Sequence, residues 1–163
     1  MEWIKEIGRL LIILALQVLL FDHLHIGIWG FPMGYVFFLI TLSPRIPRWA
    51  EMCIGFAIGM CMDICHSSLG IHTAACVAIT YLRPIILTNI VQEIERVKNH
   101  ISSQSIGRIE YAKCAILLTF IHHFIVFALE AWNWQHWWII ILQTIISTLL
   151  TLIIVIGYDR IKQ

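Results

Sequence analysis

Apolar residues run along this chain in six blocks separated by short polar intervals, and the blocks read as helices that cross a membrane. They cover roughly residues 7–24, 28–42, 49–66, 69–84, 112–131 and 135–158. Most approach the ~20 residues a helix needs to cross ~30 Å of hydrocarbon. The second is short and contains Pro32, so it is expected to begin irregularly or to be only partly helical. Pro44 and Pro47 stop helix propagation before the third block. Ser67 to Gly70 makes a very short turn, which sets blocks three and four antiparallel. Arg83-Pro84 is expected to close block four, because proline disfavours helical geometry in the residue before it. Beyond it Ile86, Ile90, Ile94, Val97 and Ile101 share one helical face, so the spacing predicts an amphipathic interfacial helix over 85–100. Ser102 to Ser105 reads as a flexible linker.

Charge orients the pattern. Of 11 Lys and Arg residues, all but Arg83 fall around the start of the first block, between the second and third, between the fourth and the start of the fifth, or after the sixth, and the other three intervals hold none. Loops retained in the cytoplasm keep positive charge, so both termini are expected there. Trp3 and Trp49 fall at the inner boundary, and Trp29, Trp132, Trp134, Trp137 and Trp138 at the outer one, as aromatic belts do. The 163 residues are 60% hydrophobic with mean hydropathy +0.83, and only 13% are charged. That is about half the ~25% usual in soluble domains, so bilayer must replace water around a single domain, 1–163. A net charge of +1 offers no basic face for nucleic acid. The 5 cysteines lie inside apolar blocks and suggest no disulfide framework. Asp22-His23-Leu24-His25 lacks a small-residue cleavage site, so the first block is expected to be retained.

Polar residues inside the blocks are the candidates for function. Gly55, Gly59 and Asp63 are four apart on one stripe, and small residues at that spacing let helix backbones touch. Asp63 lies ~18 Å along its helix from Glu51. It can cap the following turn, hold a coupling ion or proton, or contact a partner. His66, Ser68, Gly70 and His72 surround the outer turn. With Cys61, Cys65 and Asp63 they resemble a loose metal cluster, but no helical HExxH pattern supports one and no metal or cofactor is expected. Adjacent His122 and His123 point ~100° apart, so one is expected to bond across helices while the other is only tolerated. Glu130 reads as an interfacial carboxylate beside Trp132. Arg83 is expected to bond carbonyls freed near Pro84 or to snorkel to headgroups, with a lipid or ligand anchor as the alternative. Thr144, Ser147, Thr148 and Thr151 form a stripe suited to close helix contact, with Gln17 and Gln143 as isolated polar groups. No Ser-His-Asp set, P-loop or carboxylate pair can be assembled, so the chain is not expected to be an enzyme. A membrane hydrolase would have to rest on His122, His123 or Glu130.

Gly55-Phe56-x-x-Gly59-x-x-x-Asp63 followed by Ser68-Leu69-Gly70 resembles the family of the bacterial rod shape-determining protein MreD. Leu42-Ser43-Pro44-Arg45 and Phe127-x-x-Glu130 are similar too, and length and block number fit over essentially the whole chain. His122-His123 and the cysteines of block three match nothing in that family. The resemblance implies an all-α six-helix bundle like the substrate-binding subunits of energy-coupling-factor transporters. It implies a non-enzymatic scaffold of the cell-elongation machinery in the bacterial cytoplasmic membrane. MreC would be the direct partner, with MreB, RodA, a class B penicillin-binding transpeptidase and membrane lipids in the same assembly. Gly55, Gly59 and the Ser147, Thr148, Thr151 stripe would offer the docking face or serve the bundle's interior. The cytoplasmic stretch Ile85 to His100 would meet inner-face partners. The competing expectation is a small-solute-binding transporter subunit using Asp63, His66, His72 and Glu130 at the outer mouth.

Overall fold

The computed structural model describes residues 2–24, 27, 29–92, 94–97, 100–131 and 137–161. Trp132, Trp134 and the start of the sixth block lie outside them. Seven α-helices occur among the described residues, and no β-strand: α1 (Glu2–Leu19), α2 (Val36–Ile40), α3 (Arg48–His66), α4 (Ile71–Ile90), α5 (Ser103–Ile106), α6 (Arg108–Glu130) and α7 (Trp137–Ile161). Three of them, α4, α6 and α7, contain stretches long and apolar enough to cross a membrane, which marks the chain as a membrane protein. At 1.5 Å per residue the 20 residues of α4 span ~30 Å, the thickness of the hydrocarbon layer.

Each helix buries one stripe. On α6 the buried set is Tyr111, Cys114, Ala115, Leu118, Thr119, His122, His123, Val126 and Phe127, alternating steps of three and one that keep to one side. On α3 it is Glu51, Gly55, Ile58, Gly59, Met62 and Asp63. Helix α3 packs along α4, α4 along α6 and α6 along α7, while the short α2 is inserted against α4 and α6. The outward faces are apolar, as bilayer requires: Ile64 is 75% exposed and Ile153 71%. Cys53, Cys61 and Cys65 also lie on the exposed side of α3, whereas Cys76 and Cys114 are buried.

Two features differ from what the sequence predicts, whereas the second block is only partly helical, as expected of a stretch with Pro32. Only five residues, Val36–Ile40, are α-helical, and the chain before them enters the bundle without regular structure. Helix α4 does not stop at Pro84 but continues to Ile90. Proline removes one N–H, which leaves the Thr80 carbonyl without its helical partner, and packing against α3 and α6 holds the helix through that loss. The amphipathic helix expected over 85–100 does not form. Its first residues belong to α4, Val91 is extended, and Ile94–Arg96 make one 3-10 turn. Val97 and Ile101 are buried, and Ile101 N–H donates to the Thr41 carbonyl at 3.2 Å, so this stretch folds back over the end of α2. Apolar spacing that reads as a helical face thus anchors a non-helical strap.

The α3–α4 turn follows from its sequence. Ser67 adopts φ 56° and Gly70 φ 84°, both left-handed, and together they reverse the chain. Pro47 stands at the N-cap of α3 with ψ 146°, so the two prolines before it end one element and start the next.

Candidate functional site

The chain over 30–35 is unwound, and backbone without regular structure inside an apolar bundle must find partners for its N–H groups. Side chains supply them. Phe31 N–H donates to Ser147 Oγ at 2.9 Å and Met33 N–H to Thr151 Oγ1 at 3.0 Å. Gly34 N–H donates to Gln17 Oε1 at 2.6 Å, and Gln17 Nε2 donates to the Pro32 carbonyl at 3.1 Å. Pro32 has no N–H to satisfy. Gln17, Ser147 and Thr151 are at most 2% exposed. The polar stripe on α7 therefore faces the interior, where it holds irregular backbone rather than offering itself to a partner. Thr144 and Thr148 complete that stripe, Thr144 Oγ1 donating to the Ile140 carbonyl at 2.7 Å and Thr148 lying 5% exposed.

The same segment delivers Tyr35, which is fully buried. Its hydroxyl lies 2.8 Å from His72 Nδ1 and 3.2 Å from His122 Nε2, joining α2, α4 and α6. One phenolic proton cannot serve both rings as acceptors, and the hydroxyl also lies 3.6 Å from Met33 Sδ, so at least one imidazole donates to Tyr35. Cys76 Sγ is 3.8 Å from His122 Nε2, and His122 Nδ1 has no hydrogen-bond partner among the described residues. His123 turns the other way. Its Nδ1 lies 2.8 Å from the Thr119 carbonyl, which can only accept, so Nδ1 carries a proton. Its Nε2 is 3.2 Å from Thr151 Oγ1. Both histidines are fully buried. The expectation that one of them is merely tolerated is thus corrected: the ~100° between neighbours aims each at its own partner helix.

At the turn between α3 and α4, Asp63 is a helix cap. Its carboxylate accepts from Ser68 Oγ at 2.5 Å, His72 N–H at 3.0 Å, Thr73 N–H at 2.9 Å and Thr73 Oγ1 at 2.5 Å. The two backbone donors are the second and third N–H groups of α4, where a negative charge also favours the helix dipole. Of the capping, ion-site and partner roles open to it from sequence, this geometry selects the first. His66 bridges Asp22 on the first connection, Nε2 to Oδ2 at 3.0 Å, and its ring lies 5.0 Å from that of His72. Glu130 is exposed at the last residue of α6.

Gly55 and Gly59 are buried against α4. A Cβ on Gly59 would stand 2.8 Å from the His72 carbonyl and 2.8 Å from Thr73 N, both backbone atoms. A Cβ on Gly55 would stand 2.8 Å from Thr80 Oγ1. Their small size serves the α3–α4 contact, so the alternative of an open docking face is closed to them.

At the opposite end of α4, Arg83 is 1% exposed and does not snorkel. It forms an ion pair with Glu51 of α3 and donates to the Leu42 carbonyl and, at 3.2 Å, to that of Ile40. Those carbonyls lie at the C-terminal end of α2, whose last C=O groups lack helical partners. The expectation that Arg83 bonds exposed carbonyls is met on α2, not near Pro84. Nearby, Arg9 bonds Thr41 Oγ1 and lies over the rings of Phe37 and Phe38 at 5.4 and 5.1 Å.

Sequence reasoning did not single out Tyr35 or Glu51. Tyr35 sits in an apolar run where an aromatic reads as core, and Glu51 lies next to a basic loop where a carboxylate reads as solvated. Their partners are 37 and 32 residues away, beyond any local spacing rule. No family model, no curated protein and no solved structure matches this chain.

Proposed function

We propose that this chain is a non-enzymatic scaffold of the bacterial cell-elongation machinery, a protein of the MreD type that docks MreC in the cytoplasmic membrane. Its six apolar blocks thread the bilayer with both termini inside, in a bundle like that of energy-coupling-factor substrate-binding subunits. MreB, RodA and a class B transpeptidase join the same assembly. The observation that carries this reading is the use made of the resembling motif. Gly55 and Gly59 set the α3–α4 approach, Asp63 caps α4, and Ser68 and Gly70 form the intervening turn. The motif is a folding device that stiffens one hairpin, as a platform for other proteins needs. Solute binding at the outer mouth is disfavoured by the same geometry, since Asp63 already accepts four hydrogen bonds and His72 is turned toward Tyr35.

Because the glycine pair and the α7 stripe are enclosed, MreC's helix is offered outward apolar faces instead. One such face is on α1, where Leu11, Ile12 and Leu19 are 61%, 63% and 76% exposed. The test is affinity purification of the tagged chain in mild detergent, together with depletion in growing cells. MreC in the eluate and rounded cells on depletion are expected. An eluate without MreC and cells that stay rod-shaped would overturn the reading.

A further inference from the structure

A cleft of about 210 Å³ opens where α3 begins, beside the Pro84–Thr88 turn of α4 and under the strap that folds back over α2. Its walls include Ile46, Leu87, Ile94 and Val97. The volume corresponds to about seven waters at ~30 Å³ each. Five charged groups line it, Arg45, Arg48, Arg83, Glu51 and Glu95. Arg45 and Arg48 are exposed at its rim, and Arg48 lies over the Tyr81 ring at 5.5 Å. The Arg45 guanidinium has no acidic partner among the described residues. Glu51 lines the cleft at 1% exposure. One of its oxygens is held by Arg83, and the other, Oε2, is buried with no hydrogen-bond partner among the described residues. A buried carboxylate oxygen in that state calls for a donor. Glu95 adds a second negative charge to the lining.

We propose that this cleft binds the headgroup of an aminophospholipid, a phosphate paired with a primary ammonium. The phosphate meets Arg45 and Arg48, and the ammonium donates to Glu51 Oε2. Mixed charge selects this chemistry. A simple anion would suit the two arginines but would meet Glu95 and leave Glu51 without its donor. A choline headgroup carries the same phosphate but no N–H. The position fits a lipid source: the cleft lies at the level where α3 begins and α4 ends, and Trp49, 71% exposed beside Arg48, sits as interfacial aromatics do. The site requires only that the chain lie in a bilayer, not that it serve cell elongation.

The test is native mass spectrometry of the full chain, released from detergent with phosphatidylethanolamine, phosphatidylcholine or phosphatidylglycerol of matched acyl chains. The ethanolamine lipid is expected to be retained about tenfold better than the choline lipid, a ratio equal to ~1.4 kcal/mol. Arg45→Ala with Arg48→Ala, both at exposed positions, is expected to lower retention of both lipids about tenfold, with helical content unchanged by circular dichroism. Equal retention of the ethanolamine and choline lipids would overturn the proposal, as would a preference for the glycerol lipid or retention left unchanged by the double substitution. Displacement of bound lipid by soluble phosphoethanolamine in equal amount would overturn the lipid source.

Discussion

Gln17 joins three pieces of chain, donating to Pro32 and Asp22 and accepting from Gly34. Leucine has nearly the same bulk and none of the hydrogen bonds. Gln17→Leu is expected to leave Gly34 N–H and the Pro32 carbonyl buried without partners, at about 1–3 kcal/mol each. Thermal unfolding in detergent should show a lowered midpoint, and an unchanged one would mean that those groups find other partners. Arg83 is the more demanding case. Arg83→Met strands Glu51 as a buried charge and is expected to destabilise by about 3–5 kcal/mol. Adding Glu51→Leu removes that charge and should restore much of the loss, because a buried ion pair is weak against apolar packing but severe when halved. Comparison of the two variants by yield and melting checks it. Neither partner of Gln17 or of Arg83 could be read locally. Gln17 looked like an isolated amide in an apolar run, and Glu51 lies 32 residues from the arginine it neutralises.

Among elements, the α3–α4 hairpin was the most legible and α2 the least. Glycines four apart, a Ser67–Gly70 turn and an aspartate one turn before it are local signals, and each maps onto a local geometry: contact, reversal and cap. A direct check compares two glycines. Gly59→Ala drives a methyl into the backbone of α4 and is expected to cost about 1–3 kcal/mol. Gly157→Ala, on α7 with nothing within 4 Å of the added carbon, is expected to be neutral or to stabilise by about 0.4–1 kcal/mol. A melting comparison that ranks them the other way would refute the hairpin contact. The sequence misleads at Pro84 and along 85–100 for a shared reason. Proline and periodicity describe what a segment prefers alone. Here packing carries α4 past its proline, and the isoleucines and valine that follow find burial at the end of α2 without needing a helix. In the second block Pro32 gave notice of irregular chain, but the groups that make such chain tolerable, Gln17, Ser147 and Thr151, lie in the first and last helices.

For the whole molecule, the class was legible from composition: an all-helical chain whose apolar surface faces outward, with three helices suited to crossing a membrane. The proposed orientation rests on the charge pattern. If Lys5, Arg9, Arg45, Arg48, Arg108 and Lys113 lie on the cytoplasmic side as proposed, a C-terminal tag is expected to resist protease added to intact spheroplasts and to be cut once they are lysed. Cleavage before lysis would reverse the map. Which residues meet inside the bundle was not legible, because the Tyr35, His72 and His122 meeting is a property of three elements brought together, and none of the three carries a sign of the others.

The unwound chain at 30–35 bears on how the protein is made. Two of its backbone amides are held by hydroxyls 116 and 118 residues further on, in the final helix. During synthesis, therefore, the second block leaves the ribosome long before the side chains that make it comfortable in lipid exist. It must wait at the translocation machinery, or at the membrane surface, until α7 is in place, so a chain cut short before Ser147 should fail to seat its own early residues.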